Sequence, residues 1–132
     1  MSDPTPGNDP DSRDSSYELY RRGMDLLEEG DFAAAAVPLG KLASIEPSKT
    51  SVREAHGRAL FRCRRYRAAA EEFAAVIERY PVNDYAHFCL GRALTLSGDR
   101  VRGRRHLALA RNLRPDRSEY RIYSPPTPPG VE

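Results

Sequence analysis

Three columns of identical residues recur at one spacing along this chain, and that spacing limits the fold more than any other feature. Gly23, Gly57 and Gly91 lie 34 residues apart, as do Leu26, Leu60 and Leu94, and as do Pro47, Pro81 and Pro115. A fixed period of this length marks a repeat architecture, in which each unit covers its apolar face only by stacking on the next. Within a unit the pattern is helical. Leu19, Gly23, Leu26 and Leu27 keep the 3.6-residue period, Gly30-Asp31 breaks it, and Phe32, Ala35, Leu39 and Leu42 resume it. Alanine-rich stretches at residues 33–36 and 68–75 favour the second helix. Each unit therefore reads as a helix, a tight turn and a second helix, closed by the proline. That residue lacks an amide hydrogen and disfavours helical geometry in the residue before it.

Each column has a physical reading. A glycine inside a helix costs about 1 kcal/mol relative to alanine, so its recurrence predicts two helices packed too closely for a side chain. Ala35 and Ala69 are the expected small partners on the second helix, with Gly103 in that position of the third unit. Phe32 and Tyr66 open the second helix with an aromatic suited to the fork of the hairpin, a role that Arg100 cannot reproduce.

These residues resemble three tetratricopeptide repeats (TPRs). The small residue of the first helix, the leucine three further on, the alanine of the second helix, the terminal proline and the Gly30-Asp31-Phe32 turn all match that family's pattern. The resemblance covers units at residues 16–49, 50–83 and 84–117. It implies an all-α fold of three antiparallel hairpins stacked as a short right-handed α-solenoid; residues 118–123 beyond it read as a short capping turn or helix. Two departures carry expectations of their own. Arg53 and His87 stand where the family has a bulky residue, and Arg22 and His56 stand just before the glycines, which predicts looser packing with polar heads reaching water. Pro38 falls inside a second helix and predicts a kink near Val37.

Of eleven prolines, three precede residue 15 and four follow residue 124. Residues 1–15 therefore read as a disordered acidic tail and 124–132 as an extended, proline-rich tail. The stretch between them has room for one domain. No stretch approaches the roughly 18 apolar residues of a membrane span, and the acidic start lacks the basic-then-apolar order of a signal peptide. The reading is a cytoplasmic protein. Cys63 and Cys89 lack metal or disulfide spacing and read as small buried apolar residues. His56, His87 and His106 belong to different helices, and no nucleotide-binding glycine motif occurs. Hence no catalytic residue, no cofactor and no metal is expected.

In the TPR family the first helices line a concave groove that takes peptides or partner helices. The resemblance places there Tyr17, Tyr20, Met24 and Leu27, then Ser51, Glu54, Arg58 and Phe61, then Tyr85, Phe88, Arg92 and Thr95. The spacing i, i+3, i+7, i+10 puts each set on one helical face. Aromatics beside arginines suit an apolar partner segment with acidic residues. The competing reading is that Tyr20, Phe61 and Phe88 pack between adjacent helices. Tyr20 and Met24 occupy positions where a carboxylate-clamping lysine and asparagine would stand, so no such clamp is expected.

Residues 51–132 carry sixteen basic against nine acidic residues, and nineteen of the twenty-one basic residues in the chain are arginine. Arg100, Arg102, Arg104, Arg105, Arg111 and Arg114 crowd the third second-helix; Arg104 replaces Ala36 and Ala70, and Arg111 replaces Ala43 and Ile77. A polar terminal face that ends the array is favoured over anion binding. Tyr120, Ile122 and Tyr123 are expected to cover what apolar surface remains, and dimerisation through this end follows if they do not dock. The leading expectation is a non-catalytic adaptor, monomeric or weakly dimeric, that binds a protein or peptide partner. Nucleic-acid binding through the arginine-rich half and a self-associating structural module are the alternatives.

Overall fold

The computed structural model describes residues 12–125, which form seven helices and no strand. These are α1 (Ser12–Glu29), α2 (Phe32–Ile45), α3 (Thr50–Arg62), α4 (Tyr66–Arg79), α5 (Asp84–Leu96), α6 (Arg100–Leu113) and α7 (Ser118–Tyr123). The second helices start at Phe32, Tyr66 and Arg100, and α3, α5 and α7 start at Thr50, Asp84 and Ser118. Both series step by the period of the sequence. Each helix packs on its neighbours in the chain, and α1 also meets α3, giving an all-α solenoid of stacked hairpins. Helix α1 begins at Ser12, inside the stretch read as a tail; the remaining tail expectations, at 1–11 and 126–132, fall outside the described residues.

The turn inside each hairpin needs one residue in the left-handed region. Gly30 (φ 84°) and Gly98 (φ 105°) supply it in the outer units, and Arg64 (φ 69°) supplies it in the middle one. The amide of the next residue closes the turn by donating five residues back: Asp31 to the Leu26 carbonyl (2.9 Å), Arg65 to Leu60 (2.8 Å) and Asp99 to Leu94 (2.8 Å). Asp31 and Asp99 then cap the second helix, accepting from the Ala34 and Arg102 amides, whereas Arg65 makes no side-chain cap. The middle turn therefore lacks both local stabilising devices of its neighbours.

In the first two hairpins the glycine column is closed in a way the sequence reading did not anticipate, while in the third Gly103 is the close partner as expected. A Cβ at Gly23 would meet the Leu39 side chain, and one at Gly57 would meet the Phe73 ring, so large residues rather than Ala35 and Ala69 fill the groove opposite. In the third hairpin a Cβ at Gly91 would lie 2.7 Å from Leu107 and 2.9 Å from the Gly103 carbonyl oxygen, so there the two backbones themselves approach. Leu39, Phe73 and Leu107 form a further column at the same period, and all three are buried. Helix α2 runs without interruption through the buried Pro38.

Arg53 and His87 are also not sites of loose packing. Arg53 Nε donates to the Pro47 carbonyl (2.5 Å) and His87 Nε2 to the Pro81 carbonyl (2.7 Å), each satisfying a carbonyl just past a helix end. Arg121 donates to Pro115 (2.7 Å) in the same register. Behind Arg53, its guanidinium (2.6 Å) and the His56 ring both bond Glu72, which is 8% exposed. Burial alone would raise the Glu72 carboxyl, but these two partners outweigh it and hold it below its ordinary value. One repeat later His87 Nδ1 and His106 Nδ1 lie 3.0 Å apart in stacked rings.

Helix α7 occupies the position of a fourth first-helix, cut short where Pro125 falls in the glycine column. Tyr120 is its anchor: it is 1% exposed, packs on Phe88 at 4.8 Å, and donates its hydroxyl to Asp84 Oδ2 at 2.6 Å. Burial first, then the ionised Asp84, pushes its phenol pKa up. Arg111 donates to the carbonyls of Ser124 (2.9 Å) and Pro125 (3.1 Å), so it fastens the end of α7. Arg104 stays exposed on the outside of α6. Of the three residues expected to cover this end, Ile122 does not: it is 74% exposed.

Candidate functional site

The 3.6-residue period turns one face of α3 and of α5 toward a common hollow, and α1, α2, α4 and α7 close its sides. The result is a cavity of about 250 Å³ bounded by Leu27, Phe32, Arg58, Phe61, Arg62, Phe73, Tyr85, Phe88, Cys89, Arg92 and Glu119. Its floor is aromatic. Arg92 lies over the Phe61 ring at 4.9 Å, and Arg62 over Phe32 at 4.2 Å. Phe61 in turn meets Tyr66 edge-on at 5.2 Å, and Phe73 meets Tyr85 at 6.3 Å. Among the described residues none of Arg58, Arg62 and Arg92 forms a salt bridge. The cavity therefore presents three guanidiniums without a salt bridge above an apolar base.

Six of the expected groove residues meet here: Leu27, Arg58, Phe61, Tyr85, Phe88 and Arg92. The others do not. Tyr17 and Tyr20 border a separate hollow with Ser51, Leu42 and Val52 at the α1 end. Met24 is half-buried against the core. Glu54 accepts a hydrogen bond from Asn83 Nδ2 (3.2 Å), which ties α3 to the start of α5. Thr95 donates to the Gly91 carbonyl at 2.8 Å and sits against Gly103, so it belongs to the α5–α6 contact rather than to the hollow. Phe88 is 4% exposed and packs beneath Tyr120 and Tyr123 of α7.

As lining of this cavity, sequence reasoning passed over Phe32, Arg62, Phe73, Cys89 and Glu119, and at its edge Tyr123. Arg62 was findable, since it lies one helical turn beyond Arg58. Carrying the 34-residue register past residue 117 takes the Tyr85 position to Glu119, whereas Tyr123, 5.4 Å from Phe88 and 4.4 Å from the Arg92 guanidinium, falls in the column of Cys89. Burial pushes the Cys89 thiol up to about 12 and raises the Tyr85 phenol, the two groups lying against each other. Both are thus neutral near pH 7, which leaves the arginines and the Glu119 carboxylate as the charged groups lining the cavity. No group of three or more metal-ligating side chains gathers among the described residues, and none of their helices is long and apolar enough to cross a membrane.

No protein-family profile matches the chain, and no curated protein matches it. Solved structures do. MamA (residue 41 to the end) from Desulfovibrio magneticus RS-1 superposes with a TM-score of 0.78 at 23% identity, over 82% of this chain and 61% of that one. The first TPR of Spaghetti (RPAP3), bound to the HSP90 peptide SRMEEVD, superposes with a TM-score of 0.75 at 14% identity, over 83% of this chain and 87% of that one. YrrB, described as a TPR protein with an unusual peptide-binding site, gives 0.76 at 21% identity, over 82% and 56%. This chain thus spans about three fifths of the MamA structure, and what is shared at these identities is the fold.

Proposed function

This chain carries a TPR-type domain, and on that premise we propose that it is a protein-interaction adaptor whose hollow between α3 and α5 takes a peptide or helix of a partner. The observation that carries the reading is the cavity itself, with Phe61 and Tyr85 at its base and Arg58, Arg62 and Arg92 unpaired above them. A guanidinium on an aromatic ring keeps its in-plane N–H donors free for a carboxylate, so the site suits an apolar segment that carries acidic residues. Support from the fold comes from RPAP3, solved with a bound peptide, and from YrrB, described as having a peptide-binding site. A cytoplasmic location belongs to the same proposal.

The test is selection rather than a search for one protein. A displayed random-peptide library is panned against the wild-type chain and against Arg58→Ala, Phe61→Ala and Arg92→Ala. Phe88 is left intact because it supports α7. Acid-and-aromatic peptides are expected to enrich on wild type and to weaken by about thirtyfold or more on Arg92→Ala, the scale of a central arginine anchor. Enrichment that survives all three substitutions refutes the groove assignment.

A further inference from the structure

Helix α7 already places two groups at the proposed cavity. Glu119 borders it, and Tyr123, four residues on and therefore on the same helical face, lies on Arg92 and edge-on to Phe88. The backbone of α7 is held at both ends, but the Tyr123 side chain is not. Tyr120 is buried and bonded to Asp84, and Arg111 grips the backbone at Ser124 and Pro125. Tyr123 is 45% exposed and touches the groove only through its ring. It can leave Arg92 by rotating its side chain while the helix stays docked.

Resting on the groove reading above, we propose that Tyr123 is a built-in competitor for the Arg92 side of the groove, and that the partner carries the code of α7: a carboxylate and an aromatic residue four apart on a helical segment. Three observations argue for this occupant. The first is charge complementarity, since three guanidiniums unpaired among the described residues face a cavity to which α7 brings one carboxylate, and Glu119 reaches none of them as a salt bridge. The second is size. A cavity of about 250 Å³ exceeds the roughly 150 Å³ that holds a benzene ring, so it accepts one aromatic side chain beside Tyr123. The third is continuity, because Arg92 is shared between Phe61 inside the cavity and Tyr123 at its edge. An incoming aromatic that reached the same guanidinium would have to displace Tyr123.

The experiment measures fluorescence anisotropy of a labelled peptide with the sequence of residues 115–125 against the full-length chain and its variants. Binding to Tyr123→Ala is expected to be at least fivefold tighter than to wild type. Tyr123→Phe, which keeps the ring, and Ile122→Ala, which lies in solvent, are expected to match wild type. A peptide with glutamine for its glutamate, or alanine for its last tyrosine, is expected to bind Tyr123→Ala at least tenfold more weakly than the parent peptide. Equal or weaker binding by Tyr123→Ala overturns the competitor role, and indifference to the carboxylate or the tyrosine of the peptide overturns the code. If library-selected peptides bind the groove while this peptide does not, the inference fails and the adaptor reading stands. If neither binds, both fail.

Discussion

Rebuilding the middle turn in the image of its neighbours tests the repeat at its weakest point. In that turn Arg64 occupies the left-handed region at φ 69°, where Gly30 and Gly98 stand in the flanking units. A side chain in that region costs roughly 1–2 kcal/mol, and the extra unfolded-state freedom of glycine returns about 0.5–1 kcal/mol of that. Arg64→Gly is therefore expected to stabilise by about 1 kcal/mol. Arg65→Asp adds the cap that Asp31 and Asp99 provide and Arg65 does not, typically about 1 kcal/mol. It also places an acid at a helix start crowded by Arg62, Arg64 and Arg67. The double variant is expected to gain about 2 kcal/mol, which for a domain of about 100 residues raises Tm by roughly 8–16 °C. Urea titration and thermal unfolding followed by circular dichroism measure it, with both single variants completing the cycle. No gain from Arg64→Gly, or a loss, would refute the claim that this turn is strained.

Three further outcomes follow from the packing. Gly91→Ala is expected to destabilise more than Gly57→Ala, by about 1 kcal/mol in urea titration, because its methyl meets the Gly103 carbonyl at 2.9 Å, whereas at Gly57 it meets the movable edge of Phe73. Tyr120→Phe removes a hydrogen bond to an ionised carboxylate and is expected to cost about 1.5–3 kcal/mol; faster amide exchange confined to α7 and the start of α5 would mark the loss as local. Burial first, then His87, Arg102 and Arg105, lowers the His106 pKa, while the Pro81 carbonyl holds the other edge of His87. The unfolded chain thus takes up a proton at His106 near its ordinary value of 6.5 while the folded chain resists until lower pH. Stability is expected to fall on acidification through that window, and His106→Gln, measured in urea at several pH values, is expected to flatten the fall. An unchanged slope would show that the pair does not carry it.

The architecture was legible because a repeat states each rule several times. Phe32, Tyr66 and Arg100 open the second helices at one period, although only two of them are aromatic. What escaped the reading depended on partners that no residue pattern names. Arg53 and His87 looked like polar intrusions because their partners, the carbonyls of Pro47 and Pro81, are backbone atoms. The alanines seemed the natural neighbours of Gly23 and Gly57, yet Leu39 and Phe73, sixteen residues on, reach further across the hairpin. The cavity was half legible: α3 and α5 supply Arg58, Phe61, Tyr85 and Arg92 as their face requires, while its α7 wall depends on a fourth repeat that begins at Ser118 and stops at Tyr123. Tyr17 and Tyr20 share the helical face but border another hollow.

The central claim is that a partner segment binds in the hollow between α3 and α5. Titrating a library-selected peptide into isotope-labelled protein and following amide and arginine side-chain shifts addresses it directly. The account predicts that the largest changes fall on Arg58, Phe61, Tyr85, Arg92 and Tyr123, with the outer arginines Arg104 and Arg105 of α6 unmoved. Changes centred on α6, with the residues around Phe61 silent, would contradict it.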